Sequence, residues 1–175
     1  MENAYRPELW RDLYVMLGTS SAALIGLLFV VTSLHLNEVV SKPVFRTRAY
    51  NQTLYLLILL VEAVLVLLPQ PVAILGAEMV AINLLGLWLP LNNIYNYFYK
   101  NKEASRSGGW AISRAIRYIV AFLFGLAGSA ALIEHANWGM YLMTASYVFL
   151  LIAIVLNAWA IMLGIGQLEQ TTKAS

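Results

Sequence analysis

The stretch "LLPQPVAILGAEMV", Leu67 to Val80, decides how this chain is folded. It sits inside an apolar region running from Leu54 to Leu91, which is either one overlong helix or two helices of membrane-spanning length. Pro69 and Pro71 fall in the middle of that region. Proline lacks the N–H that a helix needs, and its ring collides with the carbonyl four residues back, so no regular helix runs through both. Gln70 and Pro71 instead open a new helix, because the fixed φ of proline suits a first turn. The region therefore reads as two antiparallel helices joined by a tight "PQP" turn.

Outward from this hairpin, the remaining apolar blocks follow the same scale. They are Leu13 to Leu36, Ile119 to Ile133 and Tyr141 to Ile165, beside Leu54 to Leu68 and Val72 to Leu91. A bilayer is crossed by roughly 20 helical residues. The chain is 61% hydrophobic and 11% charged over 175 residues, whereas soluble domains carry about 25% charged residues. The expected fold is all-α, a single membrane domain over 1–175 with five spans near 13–36, 50–68, 71–90, 114–133 and 139–165. Two spans have apolar cores of only about 15 residues, roughly 23 Å, and reach span length when flanking aromatic and Arg side chains extend to the headgroups. Pro90 is expected to kink or end the third span, leaving "LNNIYNYFYK" (91–100) as an interfacial helix.

Charge sets the orientation. The connection after span one holds Lys42, Arg46 and Arg48, and that after span three holds Lys100, Lys102, Arg106, Arg114 and Arg117. The "PQP" and "EHANW" (134–138) connections hold no Lys or Arg. Cytoplasmic loops are the ones enriched in Lys and Arg, so the N-terminus is expected outside and the C-terminus inside. Glu2, Glu8 and Asp12 beside Arg6 and Arg11, followed by an apolar run longer than a signal-peptide core, point to a retained first span. The formal net charge of +2 gives no reason to expect nucleic acid, and the absence of cysteine excludes disulfides and thiolate metal sites.

Against this apolar background the polar residues gather at one expected depth. Glu62 lies seven residues before Pro69 and Glu78 seven residues after Pro71, so the hairpin brings both carboxyls to roughly 10 Å below the outer face. Thr19, Ser20 and Ser21 of span one, Gly128 and Ser129 of span four, and Thr144 and Ser146 of span five fall at a similar depth. A charged carboxylate in the middle of a span costs roughly 2.5–3.5 kcal/mol on insertion scales, so Glu62 and Glu78 belong in the bundle interior. With no Lys or Arg at their depth, the compensation expected is hydroxyls, trapped water or a proton shared between the two. The alternative is packing. Gly18, Ala22 and Gly26, and Ala121, Gly125 and Ser129, recur every four residues and make smooth ridges for another helix. Ser and Thr within a span also bond to their own helix.

Other residues carry weaker signals. His35 with Glu38, and Glu134 with His135, end spans on opposite sides, which excludes a shared metal site; no metal or cofactor is expected. Asn83 and Asn157 lie deeper and are expected to cross-link helices. Arg114 and Arg117, three apart on one helix face, anchor the topology or bind phospholipid phosphates of the inner leaflet. HExxH, GxSxG, phosphate-loop and CxxC patterns are absent, so an enzyme is not expected.

The runs "WRDLYVMLGTSSAALIGLLFVVTSLHLNEVV" (10–40), "RTRAYNQTLYLLILL" (46–60) and "LLPQPVAILGAEMV" resemble a family of small, largely uncharacterised bacterial multi-span proteins. That family has a Gly- and small-residue-rich first helix ending in polar residues, an Arg-containing inner loop and a "P…LG.E" hairpin. The resemblance covers roughly the first half of the chain. It implies a bacterial cytoplasmic (inner) membrane location and makes Glu78 part of a family pattern. Some relatives are labelled modulators of the FtsH membrane protease.

These readings lead to two functional expectations. One is a small, self-associating channel or transporter-like protein for protons or small ions, with Glu62 and Glu78 as pathway groups supported by Thr19, Ser20, Ser21, Ser129, Thr144 and Ser146. The other is a non-catalytic regulatory or interaction subunit whose basic loop, 100–117, docks another membrane protein or anionic lipid. A membrane enzyme using the two carboxyls as acid and base ranks behind both.

Overall fold

The computed structural model of the chain describes residues 7–41, 43–100 and 108–173. The described residues form six helices: α1 (Pro7–Leu34), α2 (Leu36–Ser41), α3 (Pro43–Leu67), α4 (Val72–Lys100), α5 (Gly108–Ile133) and α6 (Gly139–Lys173). All except the six-residue α2 are long and apolar enough to cross a membrane, over Leu9–Leu34, Phe45–Leu67, Val72–Tyr95, Ile112–Ile133 and Gly139–Trp159. The described residues contain no strand.

The turns form as local chemistry dictates. At Pro69–Pro71 the helix stops, and the Gln70 side-chain amide donates back to the Leu65 carbonyl at 3.2 Å, satisfying a terminal acceptor of α3. The Pro71 carbonyl then accepts the first N–H groups of α4, from Ile74 at 3.0 Å and Leu75 at 3.1 Å. At the end of α5, His135 N–H donates to Leu132 O at 3.0 Å and Ala136 N–H to Ala131 O at 2.8 Å. That pair of bonds is a Schellman cap, and His135 sits at its left-handed position with φ 58°. Left-handed backbone disfavours β-branched side chains most strongly, through Cβ contacts with the backbone. We expect His135→Val to destabilise the chain by about 1–2 kcal/mol and His135→Gly to be tolerated, as read by thermal unfolding in detergent.

α3 begins at Pro43, ahead of the apolar core near 50–68, where Pro43 suits a first turn, and its 25 residues make a helix roughly 37 Å long. One helix boundary differs from expectation. α4 continues through Pro90 to Lys100. The expected break and the separate helix over 91–100 are therefore one continuous helix. A proline removes a single N–H, and within a long, packed apolar helix the neighbouring turns hold the backbone on course.

The helices pack as α1 against α3, α4 against α5 and α5 against α6, and α3 also touches α4 and α6. The seam between α1 and α6 is closed by rings: Trp10 and Tyr141 meet edge to face at 5.0 Å, and Tyr14 and Tyr147 at 6.0 Å. The core, including Leu59, Ala63, Leu75, Met79, Phe122 and Leu150, is fully buried, while Phe29, Leu34, Leu85 and Ile152 point outward. An apolar exterior around a packed interior is the arrangement expected of a bundle solvated by lipid.

Candidate functional site: a buried polar line

Among the described residues, seven polar side chains are buried in this apolar core: Ser21, Gln52, Glu62, Asn83, Ser129, Ser146 and Asn157. They form groups along the bundle, starting near the end that carries the Pro69–Pro71 turn.

Glu62 lies on the inward face of α3, 7% exposed. Its Oε1 accepts a hydrogen bond from Asn83 Nδ2 of α4 at 3.0 Å, and the same amide nitrogen donates to Met79 O at 2.9 Å. Asn83 fits because α5 presents Gly125 there: a Cβ at Gly125 would collide with the Asn83 amide, meeting its Cγ at 2.8 Å, and would lie 3.0 Å from Ser146 Oγ. Ser146 of α6 in turn donates to Ala121 O of α5 at 2.6 Å. The carboxyl of α3 is thus held by α4, whose Asn83 is accommodated by α5, with Ser146 of α6 close by. Among the described residues no Lys, Arg or His forms an ion pair with it. An unpaired carboxylate at such a site is costly.

The second group joins α1, α3 and α6. The hydroxyls of Ser21 and Tyr147 lie 3.0 Å apart, Ser21 donates to Leu17 O at 3.1 Å, and Tyr147 donates to Leu59 O at 2.8 Å. Two hydroxyl hydrogens serve three contacts, so the pair has more than one way to orient its protons. The Tyr14 and Thr144 hydroxyls make a neighbouring bridge at 3.2 Å.

Further along, Gln52 of α3 donates to Ile154 O of α6 at 2.7 Å and accepts from Asn157 Nδ2 at 2.6 Å. Asn157 Oδ1 accepts from Arg114 Nη1 of α5 at 3.4 Å. Arg114 is itself within electrostatic reach of Arg48 and Arg117, and of the Tyr55 and Tyr118 rings, which stack at 4.3 Å. Replacing Asn157 by Leu removes a bond from both Gln52 and Arg114. We expect it to destabilise the fold by about 2 kcal/mol, and the Gln52→Leu/Asn157→Leu pair to cost less than the sum of the single changes. Thermal unfolding of the four proteins of that cycle measures it.

Not every residue expected at the polar layer reaches it. Thr19 and Ser20 donate to their own helix, to Val15 O at 2.7 Å and Met16 O at 2.8 Å. Thr19 is exposed and Ser20 half-buried, whereas Ser21 faces inward. Ser129 is buried but likewise bonds within its helix, to Gly125 O at 2.7 Å. Glu78 is half-buried on α4, and its Oε2 accepts from Gln70 Nε2 at 2.9 Å. Gln70 thereby ties Glu78 to the turn, while Glu62 is held by Asn83, so the two carboxyls use separate donors. Of the small-residue ridge on α1, Gly18 packs against Ala63, where a Cβ would come within 3.1 Å, but Ala22 and Gly26 are exposed.

The expected cross-linking by Asn83 and Asn157 occurs, to Glu62 and Gln52. Sequence reasoning passed over Gln52, Tyr14 and Tyr147, and read Gln70 only as part of the helix start. The available signal for Gln52 was an amide seven residues ahead of Leu59 on the α3 face that also carries Glu62. Of the expected basic loop, residues 101–107, with Lys102 and Arg106, lie outside the described residues. Among the described residues no three His, Cys, Asp or Glu side chains gather as a metal site. Comparison of the chain with protein-family models, with curated proteins and with solved structures finds no match.

Proposed function

We propose that the chain is a multi-pass protein of a bacterial cytoplasmic membrane, with its N-terminus outside and C-terminus inside, that passes protons or small cations through its own helix bundle. Glu62 is the exchange site in this reading. The observation that supports it is a carboxyl buried where α3, α4, α5 and α6 meet, hydrogen-bonded by one neutral amide and unaccompanied by a basic partner. Such groups inside membrane bundles mark proton and ion routes. The Ser21–Tyr147 pair and the Gln52–Asn157–Arg114 chain extend polar groups along the interior, and Glu78 with Gln70 marks the opposite mouth. Arg114 and Arg117 are then at the inner-leaflet end, as the positive-inside rule requires. Self-association belongs to the proposal, with the exposed Ala22 and Gly26 of α1 offering room for a second copy. No chemical reaction is part of it.

The test is proton and monovalent-cation flux into liposomes carrying the purified chain. Flux above that of empty liposomes is expected, and its absence removes the transport reading. One observation favours a second reading. α1 is the least buried of the five long helices, and its outward face carries small and hydroxyl side chains. That face suits docking by a helix of another membrane protein, as in a regulatory subunit. Co-purification of one defined partner, lost on enlarging Ala22 or Gly26, would support this reading over transport.

A further inference from the structure

Between α1, α2, α3 and α6 the bundle holds a crevice of about 70 Å³, walled by Leu28, Val31, Phe45, Leu56 and Ile154 among others. Its polar wall groups are Thr32 and Gln52. Thr32 is bonded to Leu28 O at 2.8 Å, and Gln52 to Ile154 O and Asn157. A buried water needs two to four polar partners. With these two groups already engaged, the crevice suits hydrocarbon rather than water. Leu27 and Val155 at its rim are exposed, so it opens sideways from the bundle.

The polar wall of the crevice leads to positive charge. Gln52 links through Asn157 to Arg114, and Arg48 lies one helical turn before Gln52 on α3. Arg48 and Arg117 are both within electrostatic reach of Arg114. The Arg117 Nε is buried with no hydrogen-bond partner. Guanidinium groups linked to a dry apolar slot through Gln52 and Asn157 match an amphiphile with a phosphate head, because guanidinium binds phosphate oxygens in pairs.

We propose that this crevice and the Arg48, Arg114 and Arg117 cluster bind one acidic phospholipid, with an acyl chain between α1, α3 and α6 and the phosphate at the arginines. The proposal rests on the membrane placement given above and is independent of transport.

The experiment is native mass spectrometry of the chain in neutral detergent, titrated with phosphatidylglycerol or with phosphatidylcholine of the same acyl chains. One phosphatidylglycerol per chain is expected, bound about tenfold more tightly than phosphatidylcholine. Arg48→Gln with Arg117→Gln should erase the preference. Val31→Phe and Ala158→Phe, which fill the crevice from opposite walls, should each weaken phosphatidylglycerol binding about tenfold without altering the melting temperature. Equal affinity for the two lipids, or full binding in a folded crevice variant, overturns the proposal. So does displacement by millimolar inorganic phosphate, which would reveal a free-anion site. If neither crevice variant folds, competition by dodecyl phosphate on the unaltered chain decides: displacement supports the site and its absence overturns it. Alkaline extraction of the host membranes separates the two levels. A chain that stays in the membrane pellet but shows no lipid preference fails this proposal alone, whereas a chain released by alkali fails the membrane reading as well.

Discussion

Glu62→Gln is expected to reduce proton flux to the level of empty liposomes while leaving the melting temperature unchanged. The substitution preserves shape and keeps an oxygen able to accept the Asn83 amide at the 3.0 Å contact. What it removes is the capacity to gain and lose a proton. A purely structural Glu62 would tolerate this change in both measurements, so unaltered flux in a folded variant refutes the exchange role. Asn83→Leu is the complementary change. It takes away the amide that holds both Glu62 and Met79 O, and should cost about 1–3 kcal/mol in stability, since the buried carboxyl is left without its donor.

The largest loss of stability is expected from Gly128→Val. Gly128 of α5 and Gly139 at the start of α6 face each other closely. A Cβ on Gly128 would lie 2.8 Å from Gly139 O and 2.8 Å from Met143 N, and one on Gly139 would lie 2.9 Å from Gly128 O. These obstacles are backbone, which cannot rotate aside as a side-chain tip can. The helices would have to separate along a contact that also buries Leu132, Met140 and Met143. We expect a loss of about 3 kcal/mol or more, with Gly128→Ala intermediate. Thermal unfolding in detergent, with the fraction of monodisperse protein as a second readout, measures it. Gly26→Val is the control: nothing lies within 4 Å of its Cβ position, so it should be close to neutral in the isolated chain.

The helical architecture was legible because its signals are one-dimensional. Pro69 and Pro71 interrupt an apolar run, and the length of each block states whether it can span a bilayer. The candidate site was legible only in part, because depth follows from counting residues but rotation about a helix axis does not. Thr19, Ser20 and Ser21 share a depth, yet successive residues turn 100° about the axis, so only Ser21 meets Tyr147. Glu62 and Glu78 were similarly matched in depth, while their donors, Asn83 and Gln70, were set by how α4 is rotated and by the turn geometry. Pro90 shows the opposite limit. A local breaker was outweighed by the packing of α4 along α5, which only the assembled bundle supplies.

The α1–α6 seam bears on how the chain is made. Tyr14 and Ser21 bond to Thr144 and Tyr147, partners 130 and 126 residues later in the chain. At a synthesis rate of about 5–20 residues per second, the first helix leaves the ribosome roughly 6 to 26 seconds before its last partners exist. During that interval Ser21 can satisfy itself on Leu17 O, while the Tyr14–Thr144 contact forms only once α6 has been made. Of the described helices, α6 is thus translated last and closes the bundle onto α1. Until it arrives, α1 is held chiefly by α3, and a membrane chaperone that shields its inward face would have that interval in which to act.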